Sequence, residues 1–480
     1  MNFTSFDFAI FLPIVFLLYW FVFNRNLHAQ NSFVVIASYV FYGWWDIRFL
    51  ALIFISSLID YYIGKKIFRT KNRRGRKSLL VLSLLINLGI LGFFKYYNFF
   101  VSSFADAFLF FGMEFKVSSL NIVLPVGISF YTFQTLSYSI DVYRGNLKPA
   151  NNLTSFLAFV SFFPQLVAGP IERAVNLLPQ FEKPRIFRYE NAVDGCRQIL
   201  WGLFKKVVVA DNCAEIANLI FSDYTNFNGI TLFAGGLFFT FQIYGDFSGY
   251  SDIAIGLSRL FGFDLMKNFN YPYFSRDIGE FWRRWHISLS SWFRDYVYIP
   301  LGGSRVSKLR QLYNTFVIFI VSGLWHGANW TFVLWGLINA FFFIPLLLLG
   351  RNRNNLDVIA QNSSLPKLRE FVGMVFTFLI TVFAWIFFRS NSIHDAIEYI
   401  KNIFNSSFFE MPQLTTKEFI VFVFVFFLFL VEWMGRRKNY WIEEIHVQFP
   451  KVITWSLYLL IMLCIAIYAG TPQEFIYFQF

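Results

Sequence analysis

The chain has 480 residues and 56.5 kDa, and it is 56% apolar, 22% aromatic and only 15% charged, with a mean hydropathy of +0.51. A soluble protein of this length carries about 25% charge and divides into cores of roughly 100–200 residues, so that class is excluded. Phe contributes 68 residues against 14 Pro and 28 Gly, which excludes disordered and collagen-like chains, and the net charge of +12 reads as loops retained in the cytoplasm, not nucleic-acid contact.

A bilayer core needs ~20 residues per helix, so spans with their loops take ~35–40 residues and this length gives about twelve crossings. The predicted fold is an all-α polytopic integral membrane protein with about 11–12 transmembrane helices, a re-entrant segment and interfacial amphipathic helices. One membrane-embedded domain is expected over 1–480, because the polar stretches 348–370 and 389–417 are too short for separate domains. The segment 3–23 reads as a retained first span, since no A-x-A-like cleavage site follows it. Further apolar stretches lie near 32–45, 49–63, 79–97 and 120–142, and single charges at their ends, Asp60, Lys95 and Asp141, read as interfacial anchors.

The loop 65–77 holds eight Lys or Arg in thirteen residues and therefore faces the cytoplasm, which places the N-terminus on the extracytoplasmic side. Segment 153–169 is short and interrupted by Pro164 and Gly169, so it is expected to re-enter without crossing. Beyond 198–221 and 229–262, the apolar run 313–347 is 35 residues, or ~52 Å of helix, too long for one ~30 Å crossing. Two helices turning near Gly323 to Asn329 keep Arg351, Arg353, Lys367 and Arg369 inside. The last spans fall near 371–388, 418–434 and 451–470.

Cys196, Cys213 and Cys464 offer neither a disulfide framework nor a CxxC pair, and no metal site is expected. Of five histidines, His28, His286, His326, His394 and His446, only His326 lies inside an apolar segment, within VSGLWHGANW. An ionisable group at that depth is a functional candidate by default, and Gly323 and Gly327 let a ligand or another helix come close to it. A helix-packing histidine bonded to a carbonyl is the alternative. His286 lies in DIGEFWRRWHISLSSWFRDYVYIP, where Ile278, Phe281, Trp282, Trp285, Leu289, Trp292, Phe293 and Tyr296 recur at helical spacing. One amphipathic helix in the bilayer interface is expected there, with His286 ~80° from the centre of its apolar stripe. The third constellation, QIYGDFSGYSDIAIGLS at 242–258, carries Asp246, Ser248 and Asp252 in an apolar run. A carboxylate there can orient an imidazole, and Gly245 and Gly249 can break the backbone.

The strings FVSFFPQLVAGPIE, LWGLFKKVVVADN, YGDFSGYSDIAIGLSRLFGF, FWRRWHISLSSWFRDYVYIPLGGSR and SGLWHGANWTFVLWG resemble the membrane-bound O-acyltransferase family, and its alginate O-acetyltransferase branch in particular. The likeness runs nearly end to end and includes the terminal EFIYFQF. It implies that fold and the transfer of an acyl group, in the first instance acetyl, from a cytosolic thioester such as acetyl-CoA. The acceptor implied is a hydroxyl of an extracytoplasmic polysaccharide, alginate or a similar exopolysaccharide, reached directly or through a secreted or membrane-anchored acetyltransferase partner protein. The same family performs D-alanyl and peptidoglycan O-acyl transfer. The resemblance makes His326 and His286 the catalytic residues, in the cytoplasmic (inner) membrane of a bacterium and among its lipids, with no resident cofactor. Arg283, Arg284, Arg294 and Arg305 are candidates for the donor's phosphates, and Asp246, Ser248 and Asn329 complete the expected substrate-binding set. The competing class is a polysaccharide or lipid transporter, which also uses buried carboxylates and broken spans.

Overall fold

The computed structural model describes residues 1–114, 119–167 and 169–478, and among them there is no strand. Two compact units are present: residues 1–193 with 257–266, and residues 194–256 with 267–480. Residue 168 of the expected interrupted segment and the last two residues of EFIYFQF lie outside the described residues.

The first unit contains α1 (Phe6–Leu17), α2 (Leu27–Gly43), α3 (Arg48–Arg69), α4 (Arg73–Leu91), α5 (Tyr97–Phe110) and α6 (Ile128–Arg144). It continues with α7 (Leu153–Ser161), α8 (Phe163–Leu166) and α9 (Ala174–Phe181). The interruption expected within 153–169 is present: α7 stops at Phe162, α8 restarts with Pro164 in its first turn, and both are buried. Asp60 is not an interfacial anchor. Ser83 Oγ and Ser139 Oγ donate to its Oδ1 at 2.6 and 3.2 Å, Asn87 Nδ2 donates to Oδ2 at 2.8 Å, and the carboxylate is fully buried between α3, α4 and α6. Neutral donors substitute for water at that point.

The second unit begins within α10 (Tyr189–Leu203), which runs through a π-helical stretch at Phe204–Ala210 into α11 (Asp211–Ser222). Then come α12 (Gly229–Leu260), whose last four residues belong to the first unit, α13 (Ile278–Arg284), α14 (Ile287–Phe293), α15 (Lys308–His326) and α16 (Trp330–Leu348). The chain closes with α17 (Leu368–Arg389), α18 (Ile393–Ile403), α19 (Thr416–Gly435), α20 (Ile445–Gln448) and α21 (Lys451–Ile467). α12 is continuous, so Gly245 and Gly249 do not break it. A Cβ on Gly249 would stand 2.8 Å from the Gly202 carbonyl oxygen, and one on Gly245 3.0 Å from that of Lys205, so these glycines admit a neighbouring helix backbone.

Among the described residues, four stretches are long and apolar enough to cross a bilayer: 73–110, Trp330–Leu348, Leu368–Arg389 and Thr416–Gly435. Phe6–Val22 and Lys451–Ile467 are shorter apolar helices. Their outward side chains are large and apolar, as Phe341 (69% exposed) and Phe376 (62%) illustrate, which suits lipid and not water. The run 313–347 folds as the expected two helices, α15 and α16, with the break at residues 327–329.

What locks this hairpin is backbone contact. A Cβ on Gly323 would meet the Phe332 carbonyl oxygen at 2.3 Å, one on Gly336 the Phe319 oxygen at 2.3 Å, and one on Gly327 the Phe332 ring at 2.1 Å. Gly323 and Gly327 thus admit a helix, not a ligand. Gly336→Val is expected to lower the melting temperature in detergent, by an overpacking cost of about 1–3 kcal/mol. Gly89→Ala, where nothing lies within 4 Å, should leave it unchanged or raise it.

Candidate active site

His326 is the last residue of α15 and is 1% exposed. Its imidazole centroid lies 5.0 Å from Trp325, 5.1 Å from Trp335, 5.4 Å from Phe388 and 5.4 Å from Tyr477. Trp385 stacks on Trp335 at 5.4 Å and extends the aromatic wall. Asn329 sits just past the turn as the cap of α16, where its Oδ1 accepts from Thr331 N–H and its Nδ2 donates to the Asn391 carbonyl at 2.9 Å. It holds the turn that presents His326.

The segment 278–296 is not one helix, and its apolar stripe does not face lipid. α13 ends at Arg284, Trp285 is extended, His286 takes a left-handed conformation (φ 43°, ψ 56°), and α14 starts at Ile287. The cause is pairing with the strand-like stretch 268–270: Asn270 N–H donates to Arg284 O at 2.9 Å and Ile287 N–H to Asn268 O at 2.8 Å. Phe281, Trp285, Leu289 and Trp292 are buried in protein. A left-handed residue without glycine is costly and occurs where surroundings fix it, often at a site.

Asn268, which sequence reasoning did not single out, provides that fixation. Ser288 N–H and Oγ–H donate to its Oδ1 at 3.3 and 2.8 Å, His286 Nδ1 lies 3.1 Å from the same oxygen, and its Nδ2 donates to Ser251 Oγ at 3.0 Å. Because the Ser288 backbone N–H can only donate, Oδ1 must face it, so His286 carries its proton on Nδ1. Nε2 is then a buried lone pair without a partner among the described residues. The imidazole lies 5.8 Å from Trp325 and 6.4 Å from Tyr477, the two rings that also flank His326. Both histidines therefore converge on one aromatic chamber.

The remaining expected residues fall elsewhere. Asp246 does not orient an imidazole. It pairs with Lys206 at 2.7 Å and accepts Ile476 N–H at 2.7 Å, while Lys206 also bridges Asp211 and donates to Gln473 O. These contacts anchor the C-terminal tail, whose Tyr477 lies 4.6 Å from Phe247 and closes the chamber. Ser248 accepts from Lys205, which pairs with Asp252. Arg283 donates to Asn352 O and Asn355 O, and buried Arg284 pairs with Glu280 at 2.7 Å. Both hold polypeptide.

Arg294 has a different setting, at a cavity of about 450 Å³. Lys308, Gln311, Thr315, Phe319 and Ser322 form its α15 wall, and Lys308 and Arg353 give it a cationic mouth, beside Arg294, which is paired with Asp295 at 2.7 Å. Those wall positions recur every three or four residues, and the next step on the same stripe is His326. Trp282, which also lines the cavity, is 5.5 Å from Trp335, whose ring lies 5.1 Å from His326. Lys308 and Arg353 escaped the sequence reading because only the fold joins the two ends of the hairpin there.

Helices with lipid-suited faces, two buried imidazoles around one aromatic chamber and a basic-mouthed cavity on the same helix as one of them define a membrane protein with an internal polar site. Residues 45–355 match the membrane-bound O-acyltransferase family, MBOAT, and the chain belongs to that family. It is 36% identical over 492 residues to the probable alginate O-acetylase AlgI of Pseudomonas putida, covering 98% of each chain. Identity to the protein of the same description from Pseudomonas aeruginosa is 40% over 406 residues, 84% of this chain and 75% of that one. The peptidoglycan O-acetyltransferase of Helicobacter pylori is 36% identical over 431 residues, with 84% and 79% covered. The protein is a multi-pass membrane O-acyltransferase, which disposes of the transporter alternative.

Asn268→Ala is expected to destabilise by about 1–3 kcal/mol, since Ser288 N–H and His286 Nδ1–H lose their acceptor. His286→Asn should keep the melting temperature better than His286→Val, because Asn enters the left-handed region readily and a β-branched residue does not.

Proposed function

We propose that this protein transfers an acetyl group from a cytosolic thioester, acetyl-CoA or a similar donor, to a hydroxyl of an extracytoplasmic polysaccharide, with His326 as general base. The observation that carries this is the α15 stripe, on which the basic mouth at Lys308, the cavity wall and His326 lie in sequence along one helix face. Cations at the mouth suit the phosphates of such a donor, and the apolar inner wall suits its acyl end. An acyl donor follows from the family; its identity as a thioester is part of the proposal.

In this reading the acceptor oxygen bonds to the thioester carbonyl carbon while its proton passes to His326. The C–S bond then breaks, the imidazolium returns the proton to the leaving sulfur, and an ester and a free thiol result. General-base help of this kind contributes roughly 10²–10⁴-fold. His286, with its Nε2 lone pair turned inward, accepts a hydrogen bond from a hydroxyl next to the reacting one and so positions the acceptor, whose reacting O–H points to His326. A neutral imidazole with that tautomer has no proton on Nε2 to polarise a carbonyl.

The names of the relatives, alginate O-acetylase and peptidoglycan O-acetyltransferase, favour a carbohydrate polymer as acceptor and acetyl as the group moved. Basic residues at the Lys308 end of the hairpin favour that end in the cytoplasm, with the polymer approaching the other. The same rule applied to the loop 65–77 favours an extracytoplasmic N-terminus in a bacterial inner membrane.

His326→Ala should reduce acetyl transfer from a labelled donor by 10²–10⁴-fold at unchanged protein level and melting temperature, measured on purified protein. Retention of wild-type rate would refute the assignment. Lys308→Glu with Arg353→Glu should raise the donor KM by about tenfold, an effect that shrinks as salt rises, and leave kcat nearly unchanged.

A further inference from the structure

Beside the turn that carries His326 lies a second cavity, of about 170 Å³, lined by Phe221, Ser222, Tyr224, Arg389, Asn391 and Asp395 among others. It sits at the end of the second unit's helices opposite to the basic-mouthed cavity. α15 ends at His326, α16 begins at Trp330, α17 ends at Arg389 and α11 ends at Ser222, whereas the larger cavity takes the start of α15 and the residues after α16. Two contacts tie it to the chemistry. Phe388, the residue before Arg389, has its ring 5.4 Å from His326, and Asn391 O accepts from Asn329 Nδ2 in the His326 turn.

Its lining has a definite chemistry. Arg389 is half-buried, lies over the Phe221 ring at 5.5 Å and has one hydrogen-bond acceptor among the described residues, Asn218 Oδ1 at 2.8 Å. A guanidinium offers five N–H donors in a planar fork, so most of them remain available for a ligand. Asp395, which accepts from Ser392 Oγ at 2.8 Å and is hydrogen-bonded with Tyr224, keeps further acceptor capacity toward the same cavity. Donor and acceptor charges facing one small space, with hydroxyls of Ser222 and Tyr224 beside them, match neighbouring sugar hydroxyls, each of which both donates and accepts. Phe221 and Tyr224 add aromatic faces for the C–H side of a ring. The volume lies well below the ~300–1,000 Å³ of pockets for drug-sized ligands, which limits the guest to a single ring of a longer chain.

We infer that this cavity is the acceptor subsite, a binding site for one pyranose ring of the polysaccharide whose hydroxyl is presented to His326. The inference rests on the proposed acyl transfer and adds where and by which residues the acceptor is held. Arg389 and Asp395 grip ring hydroxyls, the aromatic rings cover one face, and the neighbouring residue of the polymer reaches past Phe388 toward the chamber.

The test separates the two levels by measuring saccharide binding apart from donor turnover. Purified full-length protein in detergent is titrated with a uronate hexasaccharide and with cellohexaose, and consumption of labelled acetyl-CoA is followed in parallel. Arg389→Gln, Tyr224→Ala and the cavity-filling Ser222→Trp are each expected to weaken binding of the better hexasaccharide at least tenfold. Each should raise the acceptor KM to match, with donor KM and melting temperature at wild-type values. Undiminished binding in all three folded variants, or binding of neither hexasaccharide by wild type that still turns over donor, would overturn the subsite. Wild type that binds saccharide through these residues and consumes no thioester would uphold the subsite and overturn the proposed donor chemistry.

Discussion

Everything at the site depends on how closely α15 and α16 approach. Gly323 and Gly336 face carbonyl oxygens of the opposite helix at distances that leave no room for a methyl group, and this contact brings Trp335 of the second helix against His326 at the end of the first. In lipid, helices gain little from hydrophobic association, so close backbone packing over small residues is an effective way to fix one helix against another. The same hairpin sets the direction of the cavity wall from Lys308 to Ser322. The packing contacts and the cavity wall thus share one helix, α15.

A second constraint acts on His286. Its left-handed backbone, the amide of Asn268 and the hydroxyls of Ser251 and Ser288 fix both the position of the ring and the nitrogen that holds its proton. The two imidazoles are thus unlike in their support. Both are enclosed by aromatic rings, and His286 is in addition hydrogen-bonded through Nδ1 to Asn268. The tail reaches this chamber through the ion pairs of Lys206 with Asp246 and Asp211. Such buried pairs contribute little net stability but lose several kcal/mol when one partner is removed, so the tail is held by a contact that tolerates no partial loss.

Much of this was legible in the sequence, and what was not has physical reasons. The break in 313–347 followed from length against bilayer thickness, and His326 stood out because an ionisable group in an apolar run is expensive. Periodicity misled at 278–296, since the apolar stripe continues through a break that a left-handed histidine makes without any glycine or proline to announce it. Arg283 and Arg284 looked like free cations because sequence does not reveal which carbonyls a guanidinium will meet. Asn268 was invisible, and Tyr477 was seen only as part of the terminal EFIYFQF with no role attached, for the converse reason. Each acts through contacts with residues far away in the chain, and nothing in its local pattern marks it. Asp246 was recognised as a group that must be paired, but its partner proved to be a lysine in a π-helical stretch and not a histidine.

The basic-mouthed cavity lies at the Lys308 end of α15 and the smaller cavity beside the turn at its His326 end, so on the proposed function the two substrates meet from opposite sides of the membrane. The most direct measurement uses proteoliposomes with labelled acetyl-CoA sealed inside and a uronate hexasaccharide outside. Ester on the external saccharide and free thiol in the lumen, in amounts that match and without leakage of either compound, are predicted. Ester formed only when donor and saccharide share one compartment would contradict the account.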